Sequence, residues 1–217
     1  IQHGIIKMIV LIGSRKGGAG KSTLASCISV ELAKRGDVLL IDADAQTTAA
    51  TWASDREEAE HKPAVPCVQK LGNIRASVLD LAKRYDFIVI DAAGRDSQEL
   101  RTAMTAADVL LAPFRPSQAD LDTAEGLSDI IEQARDFNAS LRVCAVLTMC
   151  PTHPNNPEIK DSRDYLGNFP NLPVLDCAVY DRKAYRDALS VGKGVTEHTD
   201  PKAQAEIEAL TEALING

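Results

Sequence analysis

Aromatic residues are scarce in this chain of 217 residues. Phenylalanine, tryptophan and tyrosine make up 4 % of it, whereas 45 % of its residues are hydrophobic. A hydrophobic core must therefore consist mostly of Ala, Val, Ile and Leu, which is the composition expected of parallel strands covered by helices. The length fits one α/β domain better than two small ones.

Long apolar runs are also missing. No stretch approaches the roughly 20 residues of a membrane-spanning helix, and there is no signal-peptide pattern. We therefore expect a cytoplasmic protein with no membrane association. Met8 directly precedes the first apolar run and resembles a natural start, so we expect residues 1–7 to be expression-vector residue or a disordered start, followed by a single domain over residues 8–217.

Basic residues are outnumbered by acidic ones, 24 to 31, which gives a net charge of −7. This balance argues against nucleic-acid binding over the whole surface and leaves room only for a local basic patch. The five cysteines are odd in number and form no CxxC pair. We expect them to be reduced thiols rather than disulfides or metal ligands.

Short apolar runs alternate with helical patterns along the chain. The runs predict strands near residues 8–13, 38–41, 65–68, 87–90, 109–112, 143–148 and 173–177. Helices are predicted near 21–35, 47–61, 72–84, 97–106, 117–136, 182–191 and 201–215, with a proline-rich loop and a short helix after Cys150. This alternation predicts an α/β fold, a doubly wound, mostly parallel sheet flanked by helices.

Two of the predicted helices carry more detailed expectations. In the helix near 72–84, Leu79, Leu81 and Ala82 are available for the inner face. The last helix has an apolar stripe and an acidic polar face, so we expect it to pack on its own domain, since a membrane-surface helix favours Lys and Arg there.

A glycine-rich segment, RKGGAGKST at residues 15–23, lies between the first strand and the first helix. Its small residues allow the backbone to curl with the N–H groups pointing inward, and the helix N-terminus adds positive potential. The segment therefore predicts a nucleotide phosphate site formed by Gly17, Gly18, Ala19, Gly20, Lys21, Ser22 and Thr23.

Individual side chains of this loop have separate expected roles. Lys21 supplies a charge for the β- and γ-phosphates of ATP, Ser22 supplies a hydroxyl for Mg²⁺, and Thr23 is placed to contact the α-phosphate. The loop departs from the usual pattern at Arg15, where a glycine is common, and a second lysine, Lys16, follows it.

Carboxylates follow two of the predicted strands. Asp91 comes after four apolar residues, where an aspartate that holds Mg²⁺ through a water is expected, although a turn or cap role is the alternative. Asp42 and Asp44 end the second strand, where ligands of open α/β sheets bind. One of these two aspartates is expected to face the metal and the other the attacking water, unless one merely caps the next helix.

Three motifs, KGGAGKS, IDADAQ and VIDAAG, together resemble those of the deviant Walker A ATPases of the ParA/MinD group. The resemblance extends to ADVLLAPFRPSQADL and to the C-terminal pattern of Arg182, Tyr185, Ala188, Gly194 and Val195. It points toward the small ParA type, similar to ParF, which lacks an N-terminal DNA-reading domain. The P-loop NTPase fold is implied.

The resemblance also implies an ATP-dependent homodimer with weak ATPase activity that a partner stimulates. In such a dimer Lys16 reaches across to the nucleotide of the partner subunit, Asp44 orients the attacking water, and Asp42 supports Mg²⁺. The chain departs from the family pattern at Ala45, where proline is usual, and after Asp91, where Ala92 and Ala93 replace a frequent proline.

The resemblance suggests DNA segregation as the first hypothesis. ATP-bound dimers hold nucleoid DNA non-specifically, and a ParB-like or other small centromere-binding protein stimulates hydrolysis and release. The candidate DNA contacts are Arg182, Lys183, Arg186 and Lys193, whose alternative role is solvated helix surface beside Asp181 and Asp187.

Other functions of the same fold stay open. The ATPase could position a protein cargo such as a chemoreceptor cluster or a carbon-fixing microcompartment. A MinD-like membrane regulator is disfavoured by the acidic last helix, and a metabolic enzyme such as an iron–sulfur reductase or an amide ligase would need a cluster cysteine or a substrate domain. Adenine recognition is expected near residues 148–151 and 176–180, with no base-reading residue assigned.

Overall fold

Seven apolar runs within residues 7–153 and 156–217, the part of the chain that the computed structural model describes, form the strands of one sheet. They are β1 (Met8–Ser14), β2 (Val38–Ala43), β3 (Cys67–Gln69), β4 (Phe87–Gly94), β5 (Val109–Phe114), β6 (Arg142–Cys150) and β7 (Val174–Tyr180). All neighbouring strands are parallel, in the order β3-β2-β4-β1-β5-β6-β7. The predicted doubly wound parallel sheet is confirmed.

Helices connect the strands and cover both faces of the sheet. In the described ranges they are α1 (Lys21–Leu32), α2 (Thr48–Glu58), α3 (Arg75–Leu81), α4 (Gln98–Met104), α5 (Gln118–Leu121), α6 (Ala124–Arg135), α7 (Glu158–Leu166), α8 (Lys183–Leu189) and α9 (Pro201–Asn216), with a 3₁₀ helix at Val195–Glu197. One buried cluster joins the sheet to α1, α2, α8 and α9, and a second joins it to α3, α4, α5, α6 and α7.

The strand register brings the two buried aspartates side by side. Asp42 of β2 pairs with Asp91 of β4, and Asp91 also pairs with Ile12 of β1. All three positions lie at the carboxyl ends of their strands, next to the glycine-rich loop that follows β1. The sheet itself therefore collects the loop and both carboxylates at one edge, where ligands of open α/β sheets bind.

The prediction of one continuous helix over residues 117–136 is wrong. The chain forms α5 and α6, with Asp122 and Thr123 between them. The Thr123 hydroxyl donates to the carbonyl of Asp120 at 2.7 Å, a local side-chain bond of the kind that competes with helical hydrogen bonding. The short α5 thereby becomes a separate unit that carries the Asp120 side chain.

The inner face of α3 also differs from the prediction. Leu79 is 38 % exposed, whereas Val78 is fully buried against the sheet. The helix is shorter than expected, and a one-residue difference in its phase rotates the side chains by about 100°. Leu81 and Ala82 do pack against the core as predicted.

The last helix packs on its own domain, as predicted. Its apolar stripe, Ile207, Leu210 and Leu214, is fully buried in the cluster that contains α1. Among the described helices, none has both the length and the apolar character that crossing a bilayer requires. All five cysteines are free thiols. The expectation for residues 1–7 concerns mainly residues 1–6, which lie outside the described residues.

A buried arginine ties α2 to the segment that follows α8. The Arg56 side chain is 1 % exposed and donates to both carboxylate oxygens of Glu197, at 2.8 and 3.0 Å. It also donates to the carbonyls of Pro63 and Gly192. Because these bonds reach Pro63 after α2 and both Gly192 and Glu197 after α8, Arg56 fixes the position of α2 relative to the C-terminal part of the chain.

We predict that Arg56→Met lowers the free energy of unfolding by about 3–5 kcal/mol, because it leaves the partly buried Glu197 without its partner. Urea unfolding followed by circular dichroism measures this change. The matched control is Arg84→Met, which removes an exposed arginine paired with Asp80 and should cost less than about 1 kcal/mol. Equal effects of the two substitutions would contradict the structural role of Arg56.

Candidate nucleotide site

The glycine-rich loop has the backbone conformation that its composition predicts. Gly18 and Gly20 adopt φ values of 82° and 79°, in the left-handed region where a side chain is strained. Gly20 is the residue directly before α1. The N–H groups of the first turn of α1 are thus presented to the loop, as an anion site requires.

Lys21 is held inside the loop. Its side chain is 7 % exposed, and Nζ donates to the Lys16 carbonyl at 3.0 Å and to the Ser14 hydroxyl at 3.3 Å. Burial lowers the pKa of this ammonium, while the carboxylates of Asp91 and Asp44 act in the opposite direction. The Lys21 ammonium hydrogen-bonds only to neutral oxygens here, so an anion such as a phosphate would bind to it more strongly than these oxygens do.

Two contacts that the sequence analysis missed fix the loop in place. The Thr148 hydroxyl, 1 % exposed, donates to the Ala19 carbonyl at 3.0 Å. On the other side, a Cβ added to Gly94 would lie 2.6 Å from the Cα and N of Gly17. The sequence placed Thr148 only near adenine. Gly94 could have been recognised, because a glycine three positions after Asp91 is a sign that another backbone segment approaches closely.

Asp91 is a buried carboxylate without hydrogen-bond partners in the described part of the chain. It is 1 % exposed, and neither of its side-chain oxygens has a partner there. Burial raises the pKa of Asp91 to about 7, although the neighbouring Ser22 hydroxyl and Lys21 ammonium favour its charged form. A buried orphan carboxylate beside a serine hydroxyl fits the oxygen ligands that Mg²⁺ prefers, directly or through water.

Asp42 and Asp44 have different surroundings. Asp42 is fully buried, and its two oxygens accept from the backbone N–H groups of Asp44 at 3.0 Å and Ala50 at 2.8 Å. Ala50 lies in the first turn of α2, so Asp42 accepts one of the free N–H groups at the start of that helix, a role close to the capping alternative considered above. Asp44 is half-buried, accepts from Gln46 N at 3.0 Å, and lies close enough to Lys21 to influence its pKa.

Lys16 points out of the loop that holds Lys21. Its side chain is 33 % exposed, and Nζ donates to the Asp120 carboxylate at 3.0 Å. Lys21 thus lies inside the loop, whereas the Lys16 side chain is partly exposed and directed toward Asp120 of α5. Asp120 was not among the residues expected at the site, because its link to Lys16 spans 104 positions of sequence.

A cavity of about 630 Å³ continues from the loop toward α8. Gly20 and Thr23 form its loop end, α2 lines one wall, and Thr148, Met149 and Tyr180 lie on the opposite wall. Its size is that of a small-molecule site. Thr148, Met149 and Tyr180 belong to the two segments in which adenine recognition was expected, whereas Pro151 and Asp176 do not line the cavity.

The candidate DNA contacts are not equivalent. Arg182 is 19 % exposed, pairs with Glu206 at 2.6 Å and lies over the Tyr180 ring. Lys183 and Arg186 are 78 % and 68 % exposed and pair with Asp187 and Asp181. The Lys193 carbonyl accepts from Trp52 Nε1 at 3.2 Å. Exposure thus favours Lys183 and Arg186 as contacts for an external ligand.

Comparison with known proteins yields a consistent set of matches. Residues 10–195 match the family model of the CobQ/CobB/MinD/ParA nucleotide binding domain. Maintenance of carboxysome distribution protein A from Halothiobacillus neapolitanus is 31 % identical over 186 residues, which are 85 % of this chain and 84 % of that protein. Protein ParA from Rhizobium radiobacter is 27 % identical over 95 % of this chain and 99 % of its own.

The fold matches solved structures as well. An ATP complex of a Cyanothece McdA variant superposes with a TM-score of 0.77 and 19 % identity, covering 97 % of both chains. At this identity the match concerns the fold. The resemblance to ParA/MinD ATPases that the motifs indicated is confirmed by the family model and by the two relatives.

The raised pKa of Asp91 predicts a specific pH dependence of stability. Without nucleotide and Mg²⁺, native Asp91 keeps its proton up to about pH 7, whereas an ordinary aspartate, with a pKa of 3.8, has lost it in the unfolded chain. Unfolding therefore releases a proton between these pH values, and the contribution of Asp91 to stability falls as pH rises through that window.

The matched measurement compares wild type with Asp91→Asn, which carries no ionisable group at this position. Relative to the variant, wild type should lose up to about 4 kcal/mol of unfolding free energy between pH 4 and 7 and change no further above that. Urea unfolding at a series of pH values gives both curves. Parallel curves would show that Asp91 does not titrate in this range.

Proposed function

The chain belongs to the CobQ/CobB/MinD/ParA nucleotide-binding family of P-loop ATPases, and from this membership we propose that it is an ATP-driven dimerising ATPase that segregates plasmid or chromosomal DNA. In the ATP state the dimer binds nucleoid DNA non-specifically. A ParB-like or other small centromere-binding partner stimulates hydrolysis, and the dimer then releases the DNA.

The observation that carries the dimerisation part is the placement of the two loop lysines. Lys21 is buried in the cradle, where one lysine is sufficient to bind the β- and γ-phosphates of the chain's own ATP. Lys16 lies on the outer surface of the same loop, one third exposed. A lysine in that position is able to reach a nucleotide that belongs to a second copy of the chain.

The residues of the site support a phosphoryl-transfer mechanism based on positioning and charge. The loop amides and Lys21 bind the phosphates, and Asp44 orients the attacking water. Ser22 and Asp91 would hold Mg²⁺, which neutralises charge on the phosphate oxygens when it is bound. Asp42 positions the segment that carries Asp44 through its two backbone hydrogen bonds. Lys16 of the partner subunit adds positive charge only in the dimer, so hydrolysis depends on assembly.

The DNA-binding part rests on α8. Lys183 and Arg186 are exposed, and their intrahelical or local pairs with Asp187 and Asp181 are surface ion pairs of little energetic value. DNA phosphates can therefore compete for both side chains. Arg182 is a weaker candidate, because its pairing with Glu206 and its position over Tyr180 give it a structural role.

A second candidate function is the positioning of a protein cargo. The observation that favours it is the 31 % identical relative from Halothiobacillus neapolitanus, whose name refers to carboxysome distribution. The partner separates the two functions. For DNA segregation, a small DNA-binding protein encoded beside this gene stimulates the ATPase, whereas for cargo positioning the stimulating protein binds the cargo and not a centromere.

We predict that Lys16→Ala leaves ATP binding by the monomer intact but abolishes ATP-driven dimers, because Lys21 still binds the chain's own phosphates whereas the charge proposed to reach the partner's nucleotide is lost. Analytical ultracentrifugation with ATP and Mg²⁺ measures the dimer, and fluorescence titration measures nucleotide binding. The contrasting variant is Asp44→Ala, which should form ATP dimers that do not turn over. Normal dimerisation and hydrolysis by Lys16→Ala would disprove the cross-subunit role.

We predict ATP-dependent binding to random-sequence duplex DNA that weakens steeply as salt rises, because phosphate contacts release counterions. Lys183→Ala and Arg186→Ala should each weaken binding several-fold and reduce the salt slope by about 1. Fluorescence anisotropy with labelled DNA measures both quantities. Lys83→Ala, an exposed lysine after α3, is the control and should leave binding unchanged. Absence of ATP-dependent binding at low salt would rule out the DNA-segregation proposal.

A further inference from the structure

We propose that Asp120 is a positioning residue that holds Lys16 within its own subunit until ATP and a second copy of the chain are both present. The inference rests on the proposed cross-subunit role of Lys16. It adds that this lysine has a competing partner inside the monomer, so that dimerisation requires Lys16 to exchange one anion for another.

The Asp120 carboxylate accepts hydrogen bonds from several side chains at once. Its carboxylate is 2 % exposed and accepts from Ser117 Oγ at 2.8 Å, Lys16 Nζ at 3.0 Å and Arg115 Nη2 at 3.1 Å. Burial alone raises the pKa of Asp120, but the hydrogen bonds from Arg115, Ser117 and Lys16 outweigh it and keep the pKa below its usual range. The carboxylate is thus charged and attracts the Lys16 ammonium near neutral pH.

Lys16 is the donor that can leave. Arg115 and Ser117 come from the same turn as Asp120, so they continue to satisfy the carboxylate when Lys16 departs. The Lys16 side chain comes from a distant loop and is already one third exposed. When Lys16 leaves, the buried Asp120 charge is still paired with Arg115. An unpaired buried charge would make the exchange strongly unfavourable.

The chain on both sides of Asp120 contacts the phosphate loop. A Cβ added to Gly126 of α6 would lie 1.4 Å from Nη1 of Arg15, which shows that the arginine occupies the space a side chain would fill. On the other side, the Arg115 guanidinium lies about 3.8 Å from the point where a Cβ of Gly18 would be. Arg15 thus packs against α6, which follows α5, and Arg115, which precedes α5, lies close to Gly18, so both flanks of the Asp120 segment lie beside the loop that carries Lys16.

This arrangement sets a threshold for dimerisation. If most monomers hold Lys16 against Asp120, only the remaining fraction presents a free Lys16, and the apparent dimer affinity is reduced by that fraction. ATP in the second copy supplies phosphate oxygens that compete with one carboxylate. After hydrolysis and loss of phosphate, Asp120 recaptures Lys16, which favours separation of the subunits.

The test is Asp120→Asn, which keeps a hydrogen-bond acceptor for Ser117 and Arg115 but removes the charge that attracts Lys16. With the ATP analogue AMPPNP and Mg²⁺, we expect the variant to dimerise at roughly tenfold lower protein concentration than wild type, the effect of losing one charge-assisted hydrogen bond. Sedimentation velocity over a concentration series measures this shift. AMPPNP affinity of the dilute monomer should not change.

Asp122→Asn is the matched control, because Asp122 is an exposed aspartate two positions away whose carboxylate accepts a hydrogen bond from Gln118 Nε2. It should dimerise like wild type. If Asp120→Asn requires the same protein concentration as Asp122→Asn, or a higher one, the inference is wrong.

A second measurement covers the case in which Asp120→Asn is too unstable for sedimentation. A double-mutant cycle of Lys16→Gln and Asp120→Asn on urea unfolding without nucleotide should show that the two substitutions are not additive. Additive effects would overturn the inference. Failure of the proposed function is distinguishable, because it would appear as normal dimers of Lys16→Ala, whatever the result for Asp120→Asn.

Discussion

The in-register pairing of β1, β2 and β4 is the constraint on which the site depends. Asp42, Asp91 and Ile12 occupy one row of the sheet, so the loop after β1 starts beside both carboxylates. A one-residue slip of any strand would turn its side chains to the opposite face. Such a slip would also carry Asp42 or Asp91 out of this row, so the geometry of the site depends on the register of the sheet.

Burial of charge then prepares the site for a ligand. Lys21 and Asp91 are both buried, and burial lowers the pKa of Lys21 and raises the pKa of Asp91, which favours the neutral form of each. Neither side-chain oxygen of Asp91 has a hydrogen-bond partner in the described residues, although the Ser22 hydroxyl lies beside it, and Lys21 hydrogen-bonds only to neutral oxygens. Under the proposed function, a phosphate would supply the missing negative charge to Lys21, and a magnesium ion would supply the missing positive charge to Asp91. The free energy that the folded chain gives up at these two positions would then be recovered when nucleotide binds.

The sequence was sufficient for the parts of the fold that local pattern controls. Four consecutive apolar residues before Asp91 do mark a buried strand, and the glycines of the loop do adopt left-handed conformations. Contacts between distant segments could not be read in this way. Thr148 bonds to Ala19 across 129 positions, and Asp120 bonds to Lys16 across 104. The break between α5 and α6 has a local cause instead, the bond from the Thr123 hydroxyl to the Asp120 carbonyl, which the helical pattern of residues 117–136 did not reveal.

The cavity between α2 and α8 connects the site to the surface proposed to bind DNA. Its α2 wall follows Asp44 in sequence, and its α8 wall includes Arg186, which also faces solvent. A ligand can shift such an arrangement only by contacting its two states differently. A nucleotide in the cavity would contact both helices at once, whereas the sheet beneath them is fixed by its register. Under the proposed function we therefore expect movement between ATP and ADP states in the helices and loops around the cavity, with α2 held at its far end by Arg56 and Glu197.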